Sequence, residues 1–355
     1  MTTRSSAEQP RLLGIGTAVP ANQMHALFIR WALDGITDPR ERALFQRMAD
    51  RSGIEQRWMV LQNETGKSPV DPGGFYGDGT MPGTGARMAL YAETAPALAM
   101  AAISDLKARC PIDGITHLVV ASCTGFTAPG LDQKIAALLG LSPQVERLFV
   151  GYMGCYAAIT ALRSAWHIVR SRPEARVLVV STELSSLHLQ NEGSVDALLA
   201  MLQFGDGAAA ALVAGSGAGL ALTDSFSMTL PGTEDLIRWD MTDSGFLMHL
   251  SGQVPTRIRQ ALADDALLPL PPAEIAHWAV HAGGRSILDA VESGLDLAPN
   301  ALDDSRAVLR DYGNMSSATL LFVLARKLRA RAEGPGIAMA FGPGLAVEGL
   351  RFDRV

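Results

Sequence analysis

The sequence predicts an α/β fold made of two duplicated halves. Short β-branched runs alternate with longer helix-period stretches, 35 glycines accompany only 6% aromatic residues, and one series of elements occurs twice. The strand-like runs are Arg11 to Ile15, His117 to Ala121, Val177 to Val180, Ala208 to Val213, Trp278 to Val280 and Ile337 to Ala340. They are short and apolar, as expected of a buried sheet. Ala86 to Arg109 and Ala318 to Arg331 carry the helical period. The segment from Asn63 to Gly85 is crowded with glycine and proline and has no apolar period, so it reads as a long surface loop.

The internal repeat carries the most information. The first copy runs HLVVASCTG from His117, the helix DQKIAALLGL, the turn and helix start GYMGCYAAITAL holding Cys155, and the strand RVLVVSTE from Arg176. The second runs HWAVHAGG from His277, the helix RSILDAVESGL, the turn and helix start DYGNMSSATLLFVL holding Asn314, and the strand GIAMAFGPG from Gly336. Cys155 follows His117 by 38 residues and Asn314 follows His277 by 37; the next strands begin 21 and 22 residues later. Such matched intervals predict two fused halves, residues 1–215 and 216–355, around a pseudo-twofold axis. Cys155, His281 and Asn314 would then sit at strand ends or helix starts of one central layer, where they could share a pocket.

Composition narrows the function. An apolar share of 48% against 19% charged residues excludes a disordered chain and implies a large core. A net charge of −6 speaks against a broad nucleic-acid surface. Three cysteines, Cys110, Cys123 and Cys155, without a CxxC or a Cys/His ligand spacing, give no disulfide framework and no metal site. The first ten residues are polar and no run of about 18 apolar residues occurs, so a soluble cytoplasmic protein without membrane insertion is expected.

At a helix start, Cys155 would feel unpaired N–H groups and the positive end of the helix dipole, which lower a thiol pKa. Gly151 and Gly154 permit the turn that presents the sulfur, and Ala157 and Ala158 leave room above it. Position alone does not separate this reading from an inert core cysteine. His281 ends an apolar strand and precedes Gly283 and Gly284, where its ring could pair with the thiol and donate to an oxyanion. His117, His167 and His277 lack that glycine turn and read as structural. Judged by itself Asn314 is an ordinary helix N-cap; in a pocket its amide would be an uncharged oxyanion donor. Gly66-Lys67-Ser68 lacks the leading glycine of a phosphate loop, while GIGTAV from Gly14 and GSGAG from Gly215 miss the dinucleotide fingerprint. No nucleotide cofactor is expected.

GYMGCYAAITALR around Cys155, FGDGAAAAL from Phe204, HAGGRSILD from His281, GNMSSATLLF from Gly313 and FGPGL from Phe341 together resemble the type III polyketide synthases, the chalcone synthase-like family, of bacterial type. The resemblance runs from about Arg11 to Phe352. It implies a thiolase-like αβαβα layered fold, a homodimer, CoA thioesters as substrates without a cofactor, and a catalytic Cys155, His281 and Asn314. It implies that Cys155 takes an acyl group from an acyl-CoA starter, that His281 and Asn314 stabilise the enolate formed when malonyl-CoA loses CO2, and that repeated condensation ends in cyclisation.

Around the triad the resemblance implies that Phe204 and Met248 form a portal, that Ser316 stands beside the cysteine, and that Gly342, Pro343 and Gly344 scaffold the cavity. Cys123, Ala128 and Trp239 fall on cavity positions where plant relatives carry Thr, Met and a small residue. A Met in the portal and a small Ala128 favour an aliphatic starter, hence an alkylpyrone or alkylresorcinol-type product. Arg51 and Arg57 fall in the segment that pairs with CoA phosphates. The rival readings are a malonyl-only phloroglucinol- or tetrahydroxynaphthalene-type synthase, a β-ketoacyl-ACP synthase III, and a non-catalytic scaffold; the intact triad disfavours the last.

Overall fold

The structure, a computed structural model, describes residues 9–61, 68–77, 80–191, 194–263, 267–329 and 333–354. The strands are β1 (Arg11–Ala18), β2 (Asn22–Gln23), β3 (Trp58–Met59), β4 (His117–Ser122), β5 (Glu146–Gly151), β6 (Arg176–Leu184) and β7 (Asp206–Ala214). They continue with β8 (Leu220–Thr229), β9 (Ile237–Thr242), β10 (Gly245–Leu250), β11 (His277–Val280), β12 (Gly334–Gly342) and β13 (Ala346–Arg354). The helices are α1 (His25–Gly35), α2 (Pro39–Asp50), α3 (Thr84–Lys107), α4 (Leu131–Leu138) and α5 (Ala157–Ser171). After them come α6 (Val195–Met201), α7 (Val254–Leu262), α8 (Arg285–Gly294), α9 (Asp303–Tyr312) and α10 (Ala318–Arg329).

Among the described residues nine strands form one sheet in the order β11-β12-β13-β8-β1-β7-β6-β4-β5. Its two parts mirror one another about the β8–β1 junction. β4 runs parallel to β6, which is antiparallel to β7, itself antiparallel to β1. In the other half β11 runs parallel to β12, which is antiparallel to β13, itself antiparallel to β8. The duplication read from residue intervals is thus a duplication of strand topology.

The layers follow from the period of two along each strand, which sends alternate side chains to opposite faces. On β4 and β6, Val119, Ala121, Val177 and Val179 pack into a central core built around α5 and α10, whereas Leu118, Val120, Leu178 and Val180 face α3. On β11 and β12, Ala279, Ala338 and Ala340 enter the same central core, while Trp278, Val280, Ile337 and Met339 face an outer core with α7 and α8. Helix, sheet, helix pair, sheet, helix is the resulting αβαβα order. Because both faces of these strands are covered, their sequences are continuously apolar, which made them legible.

The stretch 63–85 departs from the expectation of a surface loop; residues 62–67 and 78–79 lie outside the described residues. Its described part has no regular structure until α3 starts at Thr84, yet Tyr76 is buried, donates from its hydroxyl to the Ser186 carbonyl at 2.7 Å, and lies under the Arg87 guanidinium. Among the described residues no helix is long and apolar enough to cross a membrane.

Candidate active site

Cys155 stands in a single 3₁₀ turn, Gly154–Tyr156, that leads directly into α5. The turn needs its glycine: Gly154 has φ +79°, and a Cβ there would lie 2.4 Å from the Pro343 ring. The sulfur of Cys123, on the loop after β4, accepts from the Gly154 N–H at 3.2 Å. Tyr156 donates to the Pro343 carbonyl at 3.4 Å, and a Cβ on Gly342 would strike the Tyr156 ring. Gly342 and Pro343 therefore stand behind Cys155 and brace its turn, whereas Gly344 packs near Thr229 and Thr233; none of the three lines the cavity described below.

Asn314 arrives from the other half. Its backbone joins the Phe204 segment, donating to the Gln203 carbonyl at 2.8 Å and accepting from the Gly205 N–H at 3.0 Å. Asn314 is no helix cap, because α10 begins only at Ala318. Its side-chain oxygen accepts from the Ser316 N–H at 2.8 Å, which turns the amide nitrogen toward the Gly283 carbonyl at 3.2 Å and the Cys155 sulfur at 4.0 Å. His281 follows β11 with its backbone N–H on the Met339 carbonyl, and its ring lies beneath Gly283. Both ring nitrogens are buried without a hydrogen-bond partner among the described residues. Asn314 thus reaches the Cys155 sulfur, and the His281 ring lies next to Gly283, whose carbonyl accepts from the same amide.

Electrostatics depart from the sequence expectation. Burial pushes the Cys155 thiol up to about 12, opposed by the Ser316 hydroxyl and the Asn314 amide and reinforced by the Glu183 charge. Removing a sulfur anion from water outweighs the helix-start environment that would lower the pKa. Burial also pushes His281 down to about 3. Burial thus favours the neutral form of both the thiol and the imidazole.

A predominantly apolar cavity opens beside the triad. Cys123, Ser316, Phe204, Met248 and Trp239 all line it, as expected. Met248 on β10 pairs directly with Trp239 on β9, so both occupy one face of that hairpin. Cys123 is a poor second nucleophile, because burial and then the Glu183 charge hold its thiol well above the ordinary range. Ser316 adopts φ +47°, and its buried hydroxyl faces the Cys155 thiol.

Two expected residues lie elsewhere. Ala128 is exposed on the loop after β4 and does not line this chain's cavity. Arg57 is no CoA ligand. It is 0% exposed, and its guanidinium donates to His25 and to the carbonyls of Met201 and Phe204. The local sequence gives no sign of this burial, because the backbone carbonyls that enclose Arg57 are more than 140 residues away in sequence. Arg51 is exposed at the end of α2, and Arg285 donates to its carbonyl at 3.3 Å.

Sequence reading missed Glu183 and His188. Glu183 is fully buried at the end of β6, where its carboxyl accepts from the Cys123 N–H at 3.0 Å, the Thr124 hydroxyl at 2.8 Å and the Ser317 hydroxyl. A carboxylate closing an apolar strand was the available signal. His188 stacks on Phe246 at 4.1 Å as a cavity wall, and nothing in its sequence neighbourhood marks it.

Residues 1–218 match the N-terminal domain and residues 221–355 the C-terminal domain of chalcone and stilbene synthases. Among solved structures the chain is similar to PKS-I from the brown alga Ectocarpus siliculosus, with 28% identity, 98% of each chain covered and a TM-score of 0.87. It is similar to the C-terminal type III polyketide synthase domain of Steely1, a type I/III hybrid from Dictyostelium, with 27% identity, 98% and 99% coverage and a TM-score of 0.85. A mutant of CsyB, 23% identical over 98% of this chain and 100% of its own with a TM-score of 0.86, shares the fold. Two domain matches that span nearly the whole chain, on a thiolase-like fold, identify it as a member of the chalcone and stilbene synthase family, a type III polyketide synthase and hence an acyltransferase.

Proposed function

We propose that this enzyme loads an aliphatic acyl group from an acyl-CoA onto Cys155, extends it with malonyl-CoA, and cyclises it to an alkylpyrone or alkylresorcinol-type product. In loading, the Cys155 sulfur attacks the thioester carbonyl as His281 takes its proton, and the proton leaves on the CoA thiol. Malonyl-CoA then loses CO2, and the electron pair of the broken C–C bond enters an enolate whose oxygen accepts from His281 and Asn314. The enolate carbon attacks the Cys155 thioester, a C–C bond forms, and the cysteine sulfur is released for reloading. Arg51, exposed and next to Arg285, is assigned to the CoA phosphates.

The observation that carries the aliphatic starter is the reach of the cavity. From Cys123 and Ser316 it extends past Phe204 and Met248 to Leu27, Phe28 and Trp31 of α1 and to Ala197, Ala200 and Met201 of α6. An alkyl tail buried there gains about 0.8 kcal/mol per CH₂, and the small residues of α6 leave it room. A panel of starters from acetyl- to long-chain acyl-CoA, with malonyl-CoA and mass analysis of products, tests this reading. Long chains are expected to be preferred, and Ala200→Phe is expected to lower kcat/KM for them by roughly tenfold or more while sparing acetyl-CoA. Product from malonyl-CoA alone, with no gain from any starter, would transfer the enzyme to the malonyl-only class.

The proposal includes a homodimer. β5 ends the sheet, and its Leu148 and Phe149 are 43% and 36% exposed, next to Phe126 and Tyr152 at 46% and 40%. An open edge strand with an apolar rim favours pairing with a second copy. Sedimentation is expected to give twice the mass of one chain, and a fully active monomer would contradict it.

A further inference from the structure

Arg57 is displaced from the CoA site by the fold but sits directly behind the catalytic Asn314. Its Nη1 donates to the Phe204 carbonyl at 2.6 Å and the Met201 carbonyl at 3.0 Å, and its Nε donates to His25 Nδ1 at 2.9 Å. The guanidinium carbon lies 4.9 Å from the centre of the Phe28 ring. Its stem runs under the chain that carries the amide: a Cβ on Gly313, which has φ +67°, would lie 2.7 Å from Arg57 Cγ, and one on Gly205 would lie 3.4 Å from Arg57 Cβ. Gln203, Phe204 and Gly205 are the residues to which the Asn314 backbone is bonded. One side chain therefore holds the end of α6, the portal phenylalanine and the strand-like bridge that aims Asn314.

We propose that Arg57 is a positioning residue for decarboxylation, fixing the 201–205 turn so that the Asn314 amide keeps its place beside the Cys155 sulfur. Only a rigid planar fork with several donors satisfies two carbonyls and an imidazole from one buried point; an ammonium does not reach all three. Burial, with the Arg57 charge, pushes His25 down to about 4, which keeps its ring neutral and able to accept. The Asp206 carboxyl opposes the desolvation of the guanidinium, and it holds the Val60 N–H at 2.8 Å, so the charge is countered within the same brace. The described contacts of the Arg57 guanidinium are with His25, Met201, Phe204 and the Phe28 ring, and none of them is with the Cys155 turn, Gly154–Tyr156.

This inference rests on the role proposed for Asn314, and its test separates the two. In the full-length enzyme Arg57→Lys, Arg57→Met and Asn314→Ala are compared for acylation of Cys155, read by intact mass, and for CO2 release from malonyl-CoA. Both Arg57 variants are expected to lose roughly tenfold or more in kcat for CO2 release, as displacement of a positioned group by a fraction of an ångström does. The KM for malonyl-CoA is expected to stay within about threefold and Cys155 loading within about twofold. If Arg57→Met does not fold, Arg57→Lys and His25→Leu, which frees the guanidinium on the side away from the site, must show the same split. A wild-type kcat per loadable Cys155 in these variants, or an equal fall in loading and decarboxylation, overturns the positioning role. Normal CO2 release by Asn314→Ala would instead overturn the role of Asn314 itself.

Discussion

Cys155→Ala is expected to end product formation with every starter, with turnover falling by at least about 10⁴-fold, as when other enzymes lose a nucleophile. Among the three cysteines only Cys155 combines partial exposure with the Asn314 amide, 4.0 Å from its sulfur. Cys110 is held above the ordinary thiol range by burial and lies outside the site, and Cys123 is buried with its sulfur engaged by Gly154. Neither can substitute. The fold should tolerate the change, since alanine removes one atom from a turn that Gly154, Pro343 and Tyr156 define. Decarboxylation should survive in the variant, because the proposed donors to the malonyl thioester oxygen are His281 and Asn314. Undiminished product from Cys155→Ala, measured by mass spectrometry, would end the covalent mechanism.

Asn314→Ala produces the opposite dissociation. The amide nitrogen is the group aimed at the sulfur, whereas the amide oxygen is occupied by the Ser316 N–H and lies 3.4 Å from the Thr319 hydroxyl. Loss of one oxyanion donor costs about 10²–10³ in kcat, and that loss is expected in CO2 release. Acyl loading on Cys155 should remain visible in the intact mass. Asn314→Asp keeps the oxygen's contacts and removes the donor, so it should be at least as impaired, which assigns the loss to the N–H groups and not to the turn. If loading disappears while CO2 release persists, the roles of Cys155 and Asn314 in the two half-reactions are wrongly divided.

The legible parts of this protein share a physical cause. β4, β6, β11 and β12 are covered on both faces and read as unbroken apolar runs, so the repeated elements could be found and Cys155 aligned with Asn314. β5 was not found, because as the edge strand it exposes four of its six residues and has no strand-like run. β8 and the β9–β10 hairpin likewise mix exposed and half-buried positions. Arg57 was misplaced because residue type does not report depth. An arginine looks like surface until distant carbonyls surround it.

By itself the sequence determined the doubled α/β plan and put Cys155, His281 and Asn314 at strand ends or helix starts of one layer, because periodicity and spacing are properties of the chain alone; the catalytic roles proposed for the three came from the family resemblance. The tertiary structure decided the protonation of those groups, the depth and course of the cavity, and the role of each arginine. Those depend on which distant segments exclude water around a side chain, and exclusion of water drove Cys155 up and His281 down, against the expectation for the thiol.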